Sequence, residues 1–272
     1  MSIRIGGTGT TLGVLRSLRS SSENVDRSRL RLASGLRINR AADDPAGLAI
    51  SERFRADIAS LSQASNNAND GVSLAQTAQG GLSEIANLLS EARALAVQSS
   101  SGTLGGQTRS QVDSQFQAIL SDIDAIASNT GFNSFNPLAD DTLQVDVQVG
   151  ATQGDTITVS GVDATAAGIG VDSLDVTTSG NAAAALSTLD TAISEVSTLA
   201  GSFGLAENRL AARTRLLSTQ IEATSAAESR IRDVDYAAES ARLTKNQILQ
   251  EAGISVLAQA NTSASIVLRL LG

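Results

Sequence analysis

A chain of 272 residues with 42% hydrophobic but only 2% aromatic side chains, and no Trp, lacks the bulk on which wide cores lean; its many small side chains suit long helices in close contact. The absence of His and Cys excludes Ser-His-Asp and Cys-His nucleophiles, imidazole bases, ordinary zinc sites and disulfides. The net charge of −8 is unevenly placed, with ten Arg against five acids in residues 1–55, and thirteen acids without one Lys or Arg in residues 110–208.

The first residues, Met1 to Thr11, show neither the basic segment nor the apolar run of a secretory signal peptide. Leu15, Leu18, Ser22, Val25, Arg29, Leu32 and Leu36 then recur at alternating intervals of three and four, the spacing of an amphipathic helix that seeks a partner. Gly35 is placed to end it. Asp44 and Pro45 open the next helix, an acidic cap followed by Pro at the first helical position, where its missing N–H is no loss. From Gly47 to Ser99 no Pro intervenes, and Leu74, Ala78, Gly81, Ile85, Leu88, Ala92 and Leu95 predict one long helix. Asn69-Asp70-Gly71 has the letters of a hairpin turn, but its flanks do not alternate, so it is read as helical.

A Ser/Gly/Thr turn over 99–106 leads to a second stripe, Val112, Phe116, Ile119, Ile123 and Ile126, which Gly131 closes. A short connection makes these helices antiparallel neighbours. The period then drops to two: Leu143, Val145, Val147 and Val149, a turn over 150–155, and Ile157 with Val159 predict one β-hairpin. Residues 161–181 read as irregular, with a short strand at Leu174–Val176. From Ala182 the heptad returns through Leu189, Val196, Phe203, Leu210 and Leu217 to about Glu228, a helix of about 70 Å. A last helix carries Val256, Ala260, Val267 and Leu270 to the end of the chain, where Ile266 to Leu271 reads Ile-Val-Leu-Arg-Leu-Leu.

Chain ends are ordinarily polar and frayed, so an apolar stripe here implies a partner. The fold class expected is mainly α: an elongated antiparallel helical bundle with coiled-coil spacing, a small β-hairpin at mid-chain, and terminal helices that pair with each other. Such a rod should self-associate.

Residues 30–54, LRLASGLRINRAADDPAGLAISERF, and residues 63–80, QASNNANDGVSLAQTAQG, resemble the N-terminal signature of bacterial flagellins. GLAENRL at 204–210, ESRIRDVDYAAESARLTKNQILQEAGISVLAQAN at 228–261 and IVLRLL at 266–271 resemble the C-terminal one, and DVQVGATQGDTITV at 146–159 is similar to the family's hairpin. The resemblance implies a non-catalytic, cofactor-free subunit that polymerises into the extracellular flagellar filament. Residues 1–42 and 230–272 would form the terminal helical domain of the inner tube, disordered in the free monomer. Residues 43–229 would form the outer-tube rod, with residues 161–181 standing in place of the variable outer domains.

The same resemblance implies assembly contacts through Leu15, Leu18, Val25, Leu32, Val256, Ala260, Val267 and Leu270. The partners it implies are further copies of the chain, sibling flagellins, an export chaperone on the C-terminal helix, the flagellar type III export apparatus, and filament cap and junction proteins. The patch that an animal innate receptor recognises in some flagellins falls on Glu91, Arg93, Leu95 and Gln115. Glu91 stands where recognised members carry Arg, and Gln115 where they carry Glu, so weak signalling is expected.

Three rival readings are weighed against this one. A hook–filament junction protein shares the N-terminal pattern, but the string over 228–261 favours flagellin. A flagellin with a metallopeptidase insert needs a zinc motif that a chain without His cannot supply. A nucleic-acid-binding helical protein fits poorly, because the N-terminal Arg lie beside Glu23 and Asp26 without aromatic interleaving, and the chain is acidic overall. No membrane span is expected, since no apolar run approaches 18 residues.

Overall fold

The computed structural model describes residues 7–271, with side chains from Leu12 to Thr262. The element order is α1 (Gly7–Ser34), α2 (Pro45–Ser100), α3 (Gly106–Asn129), β1 (Gln144–Gln148), β2 (Thr156–Ser160), α4 (Ser179–Arg232) and α5 (Tyr236–Leu271). The helix boundaries follow local chemistry. Gly35, at φ +73°, follows the end of α1 in the left-handed conformation that suits glycine. Asp44 Oδ1 accepts from the Gly47 N–H at 2.9 Å at the start of α2. Thr178 Oγ1 accepts from Asn181 at 3.1 Å before α4, and Asp235 Oδ1 accepts from Ala237 and Ala238 at 3.0 and 3.1 Å before α5. Each satisfies an N–H that a helix start leaves unpaired.

The chain divides into two compact units. The central unit, Asp57–Glu222, holds the main hydrophobic core, to which α2, α3, the hairpin and α4 all contribute. Leu82, Ile85 and Leu89 of α2, Phe116 and Ile123 of α3, and Leu189, Phe203 and Leu210 of α4 are almost fully withdrawn from solvent. β1 and β2 pair antiparallel, with Gln144 opposite Ser160 and Gln148 opposite Thr156. The pleat turns Val147, Ile157 and Val159 toward the core and the alternate Thr and Asp side chains outward.

Gly71 of α2 faces both α4 and the hairpin. A Cβ there would meet Leu210 Cδ1 and Val147 Cγ2, both at 3.1 Å. Asn69-Asp70-Gly71 is therefore helical, its glycine making room for two neighbours. Glu207 occupies a heptad position of α4 because Gln76 and Gln79 donate to its carboxylate at 2.8 and 3.0 Å.

The strand expected at Leu174–Val176 does not form; the segment is irregular. Its backbone groups are taken by helix side chains. Asp113 Oδ1 accepts from the Val176 N–H at 2.8 Å, Ser99 Oγ donates to the Val176 carbonyl, and Gln117 Nε2 donates to the Leu174 carbonyl at 2.8 Å. With these groups satisfied, a ladder has nothing to add.

The terminal unit, Met1–Ala56 with Ala223–Gly272, is built on α1 packed along α5. The pairing is antiparallel: Tyr236 Oη donates to the Leu32 carbonyl at 3.1 Å, Ser28 bonds Glu239, and Leu18 packs on Gly253. Among the described residues, only Val25 and Ile38 are buried hydrophobic side chains in this unit.

Candidate functional site

The terminal unit is where the chain has apolar surface left to use. Among its described residues, Leu12, Leu15, Leu30, Ile50, Tyr236, Ile248, Leu249, Ile254 and Val256 are exposed large hydrophobic side chains, between 38% and 60% accessible. The larger central unit exposes Val97, Phe135, Leu205 and Leu216. One unit has filled its core and the other has barely begun one.

The seam between α1 and α5 runs through Leu18, Ser21, Val25, Ser28 and Leu32, with Ser21, Val25 and Ser28 buried and both Leu half-buried. The two serines were not among the residues singled out by apolar spacing. Their signal is positional, since both lie three and four residues from apolar members of the same heptad. Glu239 is 4% exposed, accepts from Ser28 Oγ at 2.6 Å, and lies 3.8 Å from Arg31 and 3.5 Å from Arg242. A buried carboxylate with specific partners favours one register of the pair over others.

Of the residues expected to serve assembly, Val25 is buried in the seam, Leu18 and Leu32 flank it half-buried, and Ala260 is half-buried on α5. Leu15 and Val256 face solvent at 49% and 51% exposure. Val267 and Leu270 lie outside the residues whose side chains are described.

Beyond α1 the chain is tied rather than loose. The Arg37 N–H donates to the Arg232 carbonyl at 2.6 Å, the Val234 N–H to the Gly35 carbonyl at 3.0 Å, and Leu36 bridges Asp233. Ile38 is buried against Gly47, where a Cβ would come within 2.7 Å of its Cδ1. Arg232 closes the arrangement on Glu52 at 2.8 Å. Burial raises the Glu52 pKa, but hydrogen bonds from Arg232 and Arg55 outweigh that and hold it below the ordinary glutamate value.

The positions expected to form an innate-receptor patch lie in the central unit. Glu91 and Gln115 are exposed, Leu95 packs partly against the core, and Arg93 Nε donates to Asp190 at 2.6 Å. That hydrogen bond lowers the Asp190 pKa below the ordinary aspartate value. No helix among the described residues is long and apolar enough to cross a membrane.

The model of the bacterial flagellin N-terminal helical region matches residues 8–142, and that of the C-terminal helical region matches residues 186–271. A flagellin of Halalkalibacterium halodurans is 43% identical over 244 residues, which is 89% of each chain. The chain belongs to the bacterial flagellin family. The Bacillus subtilis flagellin is 39% identical over an alignment of 306 positions, covering 99% of this chain and all of that one. The crystal structure of Bacillus cereus flagellin superimposes with a TM-score of 0.52 at 28% identity, covering 60% of this flagellin and 94% of that chain. Only residues 143–185 separate the two matched regions. This flagellin fills them with the hairpin, the turns after it and the start of α4.

Proposed function

We propose that this flagellin builds the flagellar filament through its terminal unit, with residues 1–42 and 230–272 in the inner tube and residues 43–229 in the outer tube. The chain is a structural subunit that polymerises with copies of itself. The observation that carries the assignment of the inner tube is the contrast in burial. The terminal unit buries Val25 and Ile38 alone among its described hydrophobic side chains and leaves nine large ones exposed. Other copies supply the missing half of that core. Packing of this kind is heterologous and does not close, so it extends as a helix.

The subunit catalyses nothing and works outside the cell, after export through the flagellar type III apparatus. An export chaperone covers the apolar face of α5 before release, and cap and junction proteins meet the filament at its ends. The exposed Ile248, Ile254 and Val256 of α5 support the need for such a cover. Leu15, Leu18, Val25, Leu32, Val256, Ala260, Val267 and Leu270 serve assembly. Glu91, Arg93, Leu95 and Gln115 give a weak innate-receptor patch, because Glu91 and Gln115, both exposed, stand where recognised members carry Arg and Glu. A potent reporter-cell response to purified monomer would overturn that last reading.

Seeding purified monomer with sheared filament fragments tests the main one. The wild type elongates continuously, whereas a junction protein stops after a limited addition. Ile248→Asp is expected to raise the unpolymerised concentration at plateau by about 10- to 100-fold, the equivalent of losing one buried apolar side chain, while the melting of the central unit is unchanged. Elongation of that variant at the wild-type plateau would refute the role given to α5.

A further inference from the structure

Between α1 and α5, Asn24, Arg27, Ser28, Arg31, Glu239 and Arg242 line a polar cleft. Its charges do not balance. One carboxylate, that of Glu239, stands among three guanidinium groups, at 3.8 Å from Arg31 and 3.5 Å from Arg242, while Arg27 bonds the neutral Asn24 at 3.2 Å. Glu239 already accepts from Ser28 at 2.6 Å. Arg31 Nε is buried and has no acceptor among the described residues. A buried donor left unpaired is costly, and guanidinium groups in excess of carboxylates favour a further anion.

We propose that this cleft is a socket for a carboxylate side chain from a second copy of the chain. The inference rests on the filament reading above. A subunit carboxylate is favoured over a mineral anion on two grounds. The exposed apolar side chains of α1 and α5, Leu15, Leu30, Ile248 and Val256 among them, need covering by another copy. That copy presents exposed carboxylates on the same two helices, Glu23, Asp26 and Glu251 among them. Arg27 and Arg242 are exposed and form the accessible side of the socket, while Arg31 lies deeper, at 20% side-chain exposure. The incoming carboxylate bonds to Arg31 and the two outer arginines, and so fixes the azimuth of one subunit against the next, which apolar contact alone does not do.

The test is made on assembled filaments. Arg242→Gln is expected to raise the unpolymerised concentration at plateau about tenfold, the loss of one charge-assisted contact. Inorganic phosphate at constant ionic strength should raise the wild-type plateau and leave that of Arg242→Gln unmoved. Filaments are also grown from equal parts of ordinary and 15N-labelled Arg242→Lys subunits, or Arg27→Lys subunits if the former do not elongate, and treated with a carbodiimide. The expected product joins the substituted position to an acidic peptide of opposite isotope composition. Links confined to one isotope composition, no links, or an unchanged Arg242→Gln plateau would overturn the socket. So would a phosphate effect without an intersubunit link, which would mark an adventitious anion only. Failure of the wild type itself to elongate would instead remove the filament reading.

Discussion

Adjacent glycines in α2 give opposite expectations. Replacing Gly80 by Ala adds a methyl group with nothing within 4 Å of it. Ala is favoured over Gly inside a helix by about 1 kcal/mol, so Gly80→Ala should stabilise the central unit by about that amount. At Gly81 the propensity gain is the same, but a Cβ would sit 2.6 Å from Leu138 Cδ1 and 2.8 Å from Thr130 Oγ1. Neither neighbour yields easily. Leu138 is fully buried, and Thr130 donates its hydroxyl to the Ile126 carbonyl at 2.7 Å at the end of α3. Overpacking of this kind costs about 1–3 kcal/mol, which cancels or exceeds the gain. In a domain of this size each kcal/mol moves the melting temperature by about 2–4 °C. Thermal unfolding followed by far-ultraviolet circular dichroism should place Gly80→Ala above the wild type and Gly81→Ala at or below it. A Gly81→Ala melting temperature equal to that of Gly80→Ala would show that Leu138 and Thr130 do not crowd this turn of α2.

Phe203 is 1% exposed in the central core, and Phe203→Ala should cost about 3–5 kcal/mol in urea unfolding. Asp113→Ala leaves the buried Val176 N–H without its acceptor and should cost about 1–3 kcal/mol, with Asp113→Asn less damaging because its carbonyl still accepts. Acid should weaken the central unit. Arg93 lowers the pKa of Asp190, Gln76 and Gln79 lower that of Glu207, Thr142 lowers that of Asp140, and Thr177 with Asn181 lowers that of Asp175. A depressed folded pKa means that the unfolded chain takes up protons first. This stability is present above the unfolded carboxylate range and lost as pH falls through the lower folded values. The urea midpoint should fall over that acid range, and Glu207→Gln should flatten the decline; an unchanged slope would refute the part assigned to Glu207.

Features set by neighbouring residues were legible in the sequence. Asp44-Pro45 begins α2 and Gly35 follows α1, because a cap and a left-handed residue act within a few positions. The hairpin also followed its alternation. Features set by distant partners were not legible. Leu174–Val176 has strand-like composition, yet its backbone bonds go to Ser99, Asp113 and Gln117, which no local pattern reveals. The seam of α1 was only half visible, since Ser21 and Ser28 hold buried positions that a search for apolar side chains passes over. The anion socket was hidden for the same reason. Its arginines read as spread through helical sequence until α5 brings Glu239 and Arg242 beside them.

The division of burial has a consequence for when each part orders. Fixing a residue's backbone costs free energy that only burial and satisfied hydrogen bonds offset. The central unit meets that cost from its own core of α2, α3, hairpin and α4 side chains. The terminal unit has Val25, Ile38, half-buried neighbours such as Leu18 and Leu32 and a polar seam with which to meet it, and nine of its described large apolar side chains face outward. Its pairing is therefore the weaker of the two in a lone subunit and gains most when another copy covers Leu15, Ile248 and Val256. Charge follows the same division. Residues 1–56 and 223–272 hold fifteen Lys and Arg against ten acids, a net of +5, whereas residues 57–222 hold five against eighteen, a net of −13. On the filament reading proposed above, the net charge of the acidic unit would repel other free subunits, and the basic, incomplete one would become stable by joining them. On the same proposal, such a subunit would polymerise through the part that is least stable alone, and assembly and the folding of its ends would be one event.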